Sequence, residues 1–127
     1  MKIKIKKLDK IFSTYIRTRD KWRCQYCMKE YPPPTNALHC AHIFTRGAQS
    51  TRFDPENAVA LCYGHHSWLD ANPLTKYEFY IKKFGQKQFD VLRLRSNTPT
   101  KIDRDAIEKD LKEKIAKLQP FVFGKRS

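Results

Sequence analysis

Two pairs of candidate metal ligands lie far apart in this sequence but share the same spacing. Cys24 and Cys27 form a Cys-x-x-Cys pair, and Cys62 and His65 form a Cys-x-x-His pair. Zinc prefers four tetrahedral ligands of thiolate or imidazole type, which two such short turns supply together. The spacing therefore predicts one structural Zn²⁺ ion, whose binding energy would contribute to folding.

The four cysteines also allow two other interpretations, namely two disulfides or a redox-active Cys24–Cys27 pair. Disulfides would suit a secreted protein, but the basic start MKIKIKKLDK is followed by no apolar run with a small-residue cleavage site. The redox interpretation lacks the surrounding β-α-β pattern. No stretch of about 18 apolar residues is present, so we expect no membrane span and a cytoplasmic protein.

Zinc explains His65 but leaves its neighbour His66 without a role. On a short helix, adjacent side chains project in different directions, so His66 must face something else. Upstream lie His39, Cys40 and His42 in an expected strand, and Asn57 directly before a second one. We expect Cys40 to be a buried free thiol rather than a ligand.

The order of these residues resembles a known family. RDKWRCQYC, then AHI, then Asn57 followed by AVALC-x-x-His-His is similar to the HNH (His-Me finger) endonucleases, and most similar to phage recombination nucleases of the NinG/Rap type. The resemblance covers roughly residues 16–95. It implies an α+β fold with a ββα-metal (HNH) core, a zinc knuckle and flanking helices. For a phage-encoded protein, the compartment would be the host cytoplasm.

The resemblance also implies roles for three residues. His42 would be the general base that takes a proton from water, because an imidazole titrates near neutrality. Asn57 would orient His42 through its carbonyl or the nearby backbone. His66 would bind a catalytic divalent ion, Mg²⁺ or Mn²⁺, that stabilises negative charge on the phosphate and the leaving 3′ oxygen.

One position departs from the family pattern. The aspartate that commonly precedes the base histidine and binds the metal is Ala41 here. His39 points to the same face of an extended strand as position 41, so it is the candidate replacement ligand. Asp70, one turn after His66, and Asp54 are further candidates.

The charge distribution points to a polyanionic partner. The net charge is +13, and residues 1–29 are rich in lysine and arginine, with Asp9 and Asp20 as their acidic residues. A polyanion such as DNA or RNA is the most natural partner of such a surface, and a solvated basic face with no partner is the other interpretation. An anionic membrane fits less well, because the surface lacks the large apolar stripe that insertion needs. Arg46 and Arg52, in the loop beside the expected site, are candidate phosphate-binding residues.

Apolar periodicity predicts the elements that position these residues. Residues 8–20 form an amphipathic helix, 37–45 and 57–63 read as strands, and 64–71 reads as a short helix stopped at Asn72-Pro73. Thr75 and Glu78 form a capping box that would start a helix ending at Gly85, and residues 86–95 form another. The tail from Ile102 is an amphipathic helix with Asp103 as its N-cap.

These observations predict a nuclease domain over residues 1–100 with a basic N-terminal segment, and a C-terminal helix and tail over 101–127 that packs on it or forms a homodimer. The favoured function is a metal-dependent DNA endonuclease in phage-type DNA processing or recombination. The alternative is a zinc-knuckle nucleic-acid-binding protein without catalysis. A dimerising structural adaptor would explain the charge but not the histidines.

Overall fold

The computed structural model describes residues 5–45 and 48–122, with side chains up to Leu118. The chain combines helices with one small sheet, so the α+β class predicted from the sequence is confirmed. In chain order the elements are α1 (Ile5–Arg19), β1 (Leu38–His42), α2 (Gln49–Arg52), a 3₁₀ turn (Pro55–Asn57), β2 (Ala58–Cys62), α3 (Tyr63–Asp70), α4 (Pro73–Phe84), α5 (Gln86–Ser96) and α6 (Arg104–Val122).

The sheet consists of β1 and β2, paired antiparallel. The register sets His42 opposite Ala58 at one end and Leu38 opposite Cys62 at the other. All five residues of β2 are buried, as its apolar, partly β-branched sequence predicts. Because α3 begins directly after Cys62, it packs back on the sheet that it has just left.

The first helix packs its apolar stripe against the C-terminal helix. Leu8, Phe12 and Ile16 of α1 form a core cluster with Leu111 of α6. Lys7 lies 3.7 Å from Glu108, and the Lys114 ammonium lies 5.7 Å from the Tyr15 ring, so the two helices run in the same direction. Helix α6 therefore packs on α1 within one chain, and a homodimer and the division of the chain at residue 100 stay predictions.

The end of α1 is fastened to β2 by two charged residues. Arg19 donates hydrogen bonds to the backbone oxygens of Pro55 (2.7 Å) and Ala58 (2.8 Å). Asp20 accepts from the backbone N–H of Ala60 at 2.8 Å. Part of the charge that the sequence assigned to a basic surface therefore holds the fold together.

The later helices lie close to their predicted positions, with one error. The helix expected to start at the Thr75–Glu78 capping box begins at Pro73, and the N-cap residue Asn72 makes no side-chain capping bond. Proline suits the first helical position, where its missing N–H would have no helical partner. The predicted end at Gly85 is confirmed, and the φ of Gly85 is 97°, in the region that favours glycine.

Candidate metal centre and histidine cleft

The first pair of cysteines lies in a tight turn docked on β2. The Cys24 carbonyl accepts from the N–H of Met28 at 2.7 Å, and the Cys24 N–H donates to the Lys29 carbonyl at 3.0 Å. Met28 adopts a positive φ of 64° to close the turn. Gln25 donates its backbone N–H to the Ala60 carbonyl at 2.9 Å. The turn is therefore fixed against the strand that leads to Cys62.

The second pair lies where β2 passes into α3. Cys62 is the N-cap residue of α3, and His65 follows within the first helical turn. The Nδ1 atom of His65 lies 3.3 Å from the Cys62 sulfur and 3.8 Å from the Cys24 sulfur.

Together the two pairs form one cluster. One ligand atom from each of Cys24, Cys27, Cys62 and His65 lies within 4.8 Å of all the others. Tetrahedral zinc ligands at about 2.3 Å from the ion lie about 3.7 Å apart, so this Cys₃His set could hold a zinc ion after small adjustments. None of the three cysteines of the cluster is disulfide-bonded, so each is available to bind zinc as a thiolate.

The surroundings of the cluster favour a thiolate at Cys62. Burial alone would raise the pKa of the Cys62 thiol, but hydrogen bonds from the His65 backbone, the His65 ring and Tyr31 lower it to about 7. Burial raises the pKa of Cys24. Of these two cysteines, Cys62 therefore loses its proton more readily near neutral pH.

Aromatic side chains cover the outer side of the cluster. The Tyr26 ring lies 4.6 Å from the His65 ring, 5.4 Å from Phe79 and 5.8 Å from Trp68, measured between centroids. Tyr26 packs on the candidate ligand His65, and Trp68 packs on Tyr26. The contact with Tyr26 helps to hold the imidazole in position to bind an ion.

His66 leaves α3 in a different direction and joins a separate polar group. Its Nδ1 lies 3.0 Å from the Nδ1 of His39, and its Nε2 lies 3.3 Å from the Oδ2 of Asp70. Lys76 places its ammonium 3.1 Å from the Oδ1 of Asp70. Burial lowers the pKa of His66, as do His39 and Lys76, and Asp70 only partly opposes them.

The hydrogens in this group can be assigned from its acceptors. His39 Nε2 lies 3.1 Å from the backbone oxygen of Asn36, and a carbonyl only accepts, so this nitrogen carries a hydrogen. With both rings neutral, His39 Nδ1 accepts from His66 Nδ1. The lone pair of His66 Nε2 then faces an Asp70 oxygen, and a cation between these two acceptors would satisfy both.

His42 lies at the end of β1, beside the same cleft. A space of about 730 Å³ is lined by His42, His66, Asp70 and Lys76, among other residues. His42 Nε2 lies 2.9 Å from the backbone oxygen of Arg52, so Nε2 is the nitrogen that carries the hydrogen. In a neutral ring, Nδ1 is then the basic nitrogen.

Asn57 is fully buried and holds the loop between the strands. Its side-chain amide donates to the backbone oxygens of Phe44 and Thr51, both at 3.0 Å, and its Oδ1 accepts from the Phe44 N–H at 2.8 Å. One of these bonds is to Thr51, the residue directly before Arg52. Of the two routes expected from the sequence, this geometry suits orientation of His42 through the nearby backbone.

The two candidate phosphate-binding arginines have different outcomes. Arg46 lies outside the described residues. Arg52 forms a bidentate ion pair with Asp9, with distances of 3.0 and 2.6 Å, and this partner raises the pKa of Arg52. A phosphate contact by Arg52 would compete with Asp9. Asp9 was not predictable from the sequence as a partner of Arg52, because it is far away along the chain and belongs to no motif.

The two remaining residues considered from the sequence, Asp54 and Cys40, both lie outside the group around His66. Asp54 caps the 3₁₀ turn and lies 2.9 Å from Arg95, so it is engaged outside the group around His66. Cys40 is half-buried and is not disulfide-bonded. Lys76 was not found from the sequence, since one lysine in a basic chain gives no signal.

Among the described residues, no helix is both long and apolar enough to span a bilayer.

The fold and site define a small α+β protein with a Cys₃His cluster suited to zinc. A family model described as "NinG: Bacteriophage Lambda NinG protein" matches residues 2–121, so the chain belongs to the NinG family. This membership suggests a phage role related to recombination. No curated protein and no solved structure gave a significant match.

Proposed function

We propose that the protein is a metal-dependent DNA endonuclease of the HNH type. The observation that carries this proposal is the placement of His42, with its Nε2 hydrogen bonded to a carbonyl, in one cleft with His66 and Asp70. The order of β1, β2 and α3 supports a ββα-metal arrangement. The net charge of +13 supports DNA as the substrate.

His66 and Asp70 are the residues that would hold the divalent ion. Their facing acceptor atoms, 3.3 Å apart, suit two ligands on one ion. In this arrangement His39 orients the His66 ring through its Nδ1 rather than binding the ion, in the way that hydrogen-bond partners commonly fix ligand histidines. When bound, such an ion supplies stabilisation of the negative charge on the phosphate and the leaving 3′ oxygen.

His42 would take the proton of the attacking water on Nδ1. Water then adds to phosphorus and the bond from phosphorus to the 3′ oxygen breaks. The leaving 3′ oxygen takes a proton from solvent water, so the products carry a 5′-phosphate and a 3′-hydroxyl. Lys76 donates a hydrogen bond to the backbone oxygen of His42 at 3.4 Å and to Asp70, so it joins the two sides of the cleft.

A plasmid-nicking assay with Mg²⁺, Mn²⁺ or no metal tests the proposal. Wild-type protein should nick only with metal, and His42→Ala should not nick, although its zinc content and DNA affinity stay the same. A general base contributes typically 10²–10⁴ in rate but little to ground-state binding. Nicking by His42→Ala at the wild-type rate would contradict this mechanism.

The alternative is a zinc-knuckle protein that binds nucleic acid without cleaving it. Ala41 favours it, because the residue at the family's usual metal-binding position is a fully buried alanine that offers no ligand. The two functions make opposite predictions in the same assay. Metal-independent binding with no nicking under any metal would establish the alternative.

A further inference from the structure

The N-terminal helix α1 contacts His42 directly, although the motifs that suggested a nuclease start only near its end. Asp9 and Phe12 are three positions apart, so they share one face of α1. The Phe12 ring lies 5.6 Å from the His42 ring, with an angle of 31° between their planes. One face of the imidazole is therefore covered by α1.

The hydrogen-bond acceptor of His42 is also held by α1. The backbone oxygen that accepts from His42 Nε2 belongs to Arg52, whose guanidinium is paired with Asp9 at two points. The side chains of Arg52 and Asp9 are only 16% and 22% exposed, so this pair is shielded more than an ordinary surface pair.

The segment that carries the Arg52 oxygen is fixed on both sides. The preceding carbonyl, of Thr51, accepts from the buried Asn57 amide at 3.0 Å. The following ring, of Phe53, packs edge-on against Phe12 at 6.0 Å. With Asp9 holding Arg52 between them, this carbonyl has little freedom to move.

We propose that α1 positions the general base: Phe12 supports the His42 ring, and Asp9, through Arg52, fixes the carbonyl that holds the hydrogen on Nε2. Asp9 and Arg52 are then positioning residues rather than DNA contacts. This inference rests on the proposed nuclease function. Its physical content, a single His42 tautomer set by α1, can be measured without any cleavage.

Asp9→Asn is the decisive variant, because it removes the charge and keeps the shape. We expect kcat to fall about 10–100-fold, which is the usual cost of misplacing a catalytic group by about an ångström. The KM for DNA should stay the same or fall, since the variant removes a negative charge from a DNA-binding protein. Asp9→Glu should recover part of the rate.

The second readout is the tautomer of His42, from the ¹⁵N shifts of its ring nitrogens at a pH where the ring is neutral. Wild-type protein should show hydrogen on Nε2, and Asp9→Asn a mixture. Glu108→Gln is the control: it removes the ion pair between Glu108 of α6 and Lys7 of α1, which does not involve Asp9. This variant should keep both the wild-type kcat and the single tautomer. If Asp9→Asn does not fold, Arg52→Lys replaces it as the test, because lysine can keep one hydrogen bond to Asp9. Its kcat should be lower than that of wild-type protein, and its His42 should show a mixture of tautomers.

Two results would overturn the inference. One is an Asp9→Asn protein with the wild-type kcat, and the other is an Asp9→Asn protein in which His42 keeps one tautomer. If wild-type protein cleaves no DNA under any metal, the nuclease proposal fails on its own. The tautomer comparison then still tests whether α1 positions His42.

Discussion

Adjacent histidines at the start of α3 have different surroundings, and their substitutions should have different effects. His65→Ala removes a candidate zinc ligand, so zinc content should fall below one per chain and the unfolding midpoint should drop. His66→Ala should keep zinc and folding but lose cleavage, with partial rescue by excess divalent ion. Elemental analysis, thermal unfolding and nicking distinguish the two variants. Identical behaviour would mean that the pair is misassigned.

The donor types in the cleft also predict a metal preference. Imidazole suits first-row transition metals better than it suits Mg²⁺, which favours carboxylate, carbonyl and water oxygens. With His66 as a ligand, half-maximal nicking should require a lower concentration of Mn²⁺ than of Mg²⁺. Titrating each ion against the nicking rate measures this directly. A His66→Asp variant should narrow the gap, whereas equal requirements in wild-type protein would exclude His66 as a ligand.

Residue roles were predictable from the sequence where spacing alone defines them. Cys-x-x-Cys and Cys-x-x-His are local patterns, and the structure brings their four ligand atoms together. The partners of His42 were not predictable, because one is a backbone carbonyl in a loop and another is a phenylalanine on α1. A carbonyl acceptor has no sequence signature, and Phe12 reads as one more apolar residue of the helix stripe.

At the level of elements, helix α3 contains a glycine that its packing does not require. A β-carbon built at Gly64 would meet nothing within 4 Å, and Gly64 has no positive φ. Glycine in a helix is less favourable than alanine because its unfolded chain has more freedom. Gly64→Ala should therefore stabilise the protein by up to about 1 kcal/mol, measured as the free energy of unfolding in denaturant.

A matched substitution tests the reason for that gain. Gly85 also has open space, but its φ of 97° disfavours any side chain, so Gly85→Ala should destabilise the protein. Stabilisation by both substitutions would show that backbone conformation does not govern these positions. The comparison needs no assumption about function.

The elements themselves were mostly visible in the sequence, and the exceptions have local causes. Both strands and the long helices follow apolar periodicity. The segment between the strands was predicted only as a loop, and it contains α2 and a 3₁₀ turn. Elements of three or four residues are too short to show a period, and these are stabilised by contacts such as the Asn57 amide bonds to Phe44 and Thr51.

For the whole molecule, the positive charge divides into a structural part and an exposed part. Arg19 and Arg52 make contacts inside the fold, whereas Lys6, Lys10 and Lys21 have exposed side chains. We expect the triple Lys→Gln variant at these lysines to weaken DNA binding equally for all sequences. The slope of log affinity against log salt should become shallower by about one for each phosphate that the variant no longer neutralises.

Binding measured at several salt concentrations tests this, with a variant that neutralises Lys109, Lys112 and Lys117 on α6 as the control. The control should make the slope of log affinity against log salt shallower by a smaller amount, because its lysines lie on α6 and not on the surface that is expected to contact DNA. Equal effects of the two triple variants would mean that DNA responds to net charge rather than to the surface formed by α1 and the turn after it.

Because α3 begins directly after Cys62, the directions of its side chains are set by counting from this candidate zinc ligand. Deleting Gly64 would keep a Cys-x-x-His pattern, with His66 now in the place of His65. Every later side chain would then turn by about 100°, so the buried Leu69 would be replaced in the core by Asp70. Three faces of one short helix therefore depend on the same residue count. Substitutions can change them one at a time, but an insertion or deletion there displaces the cleft and core residues together, even where the Cys-x-x-His pattern is kept.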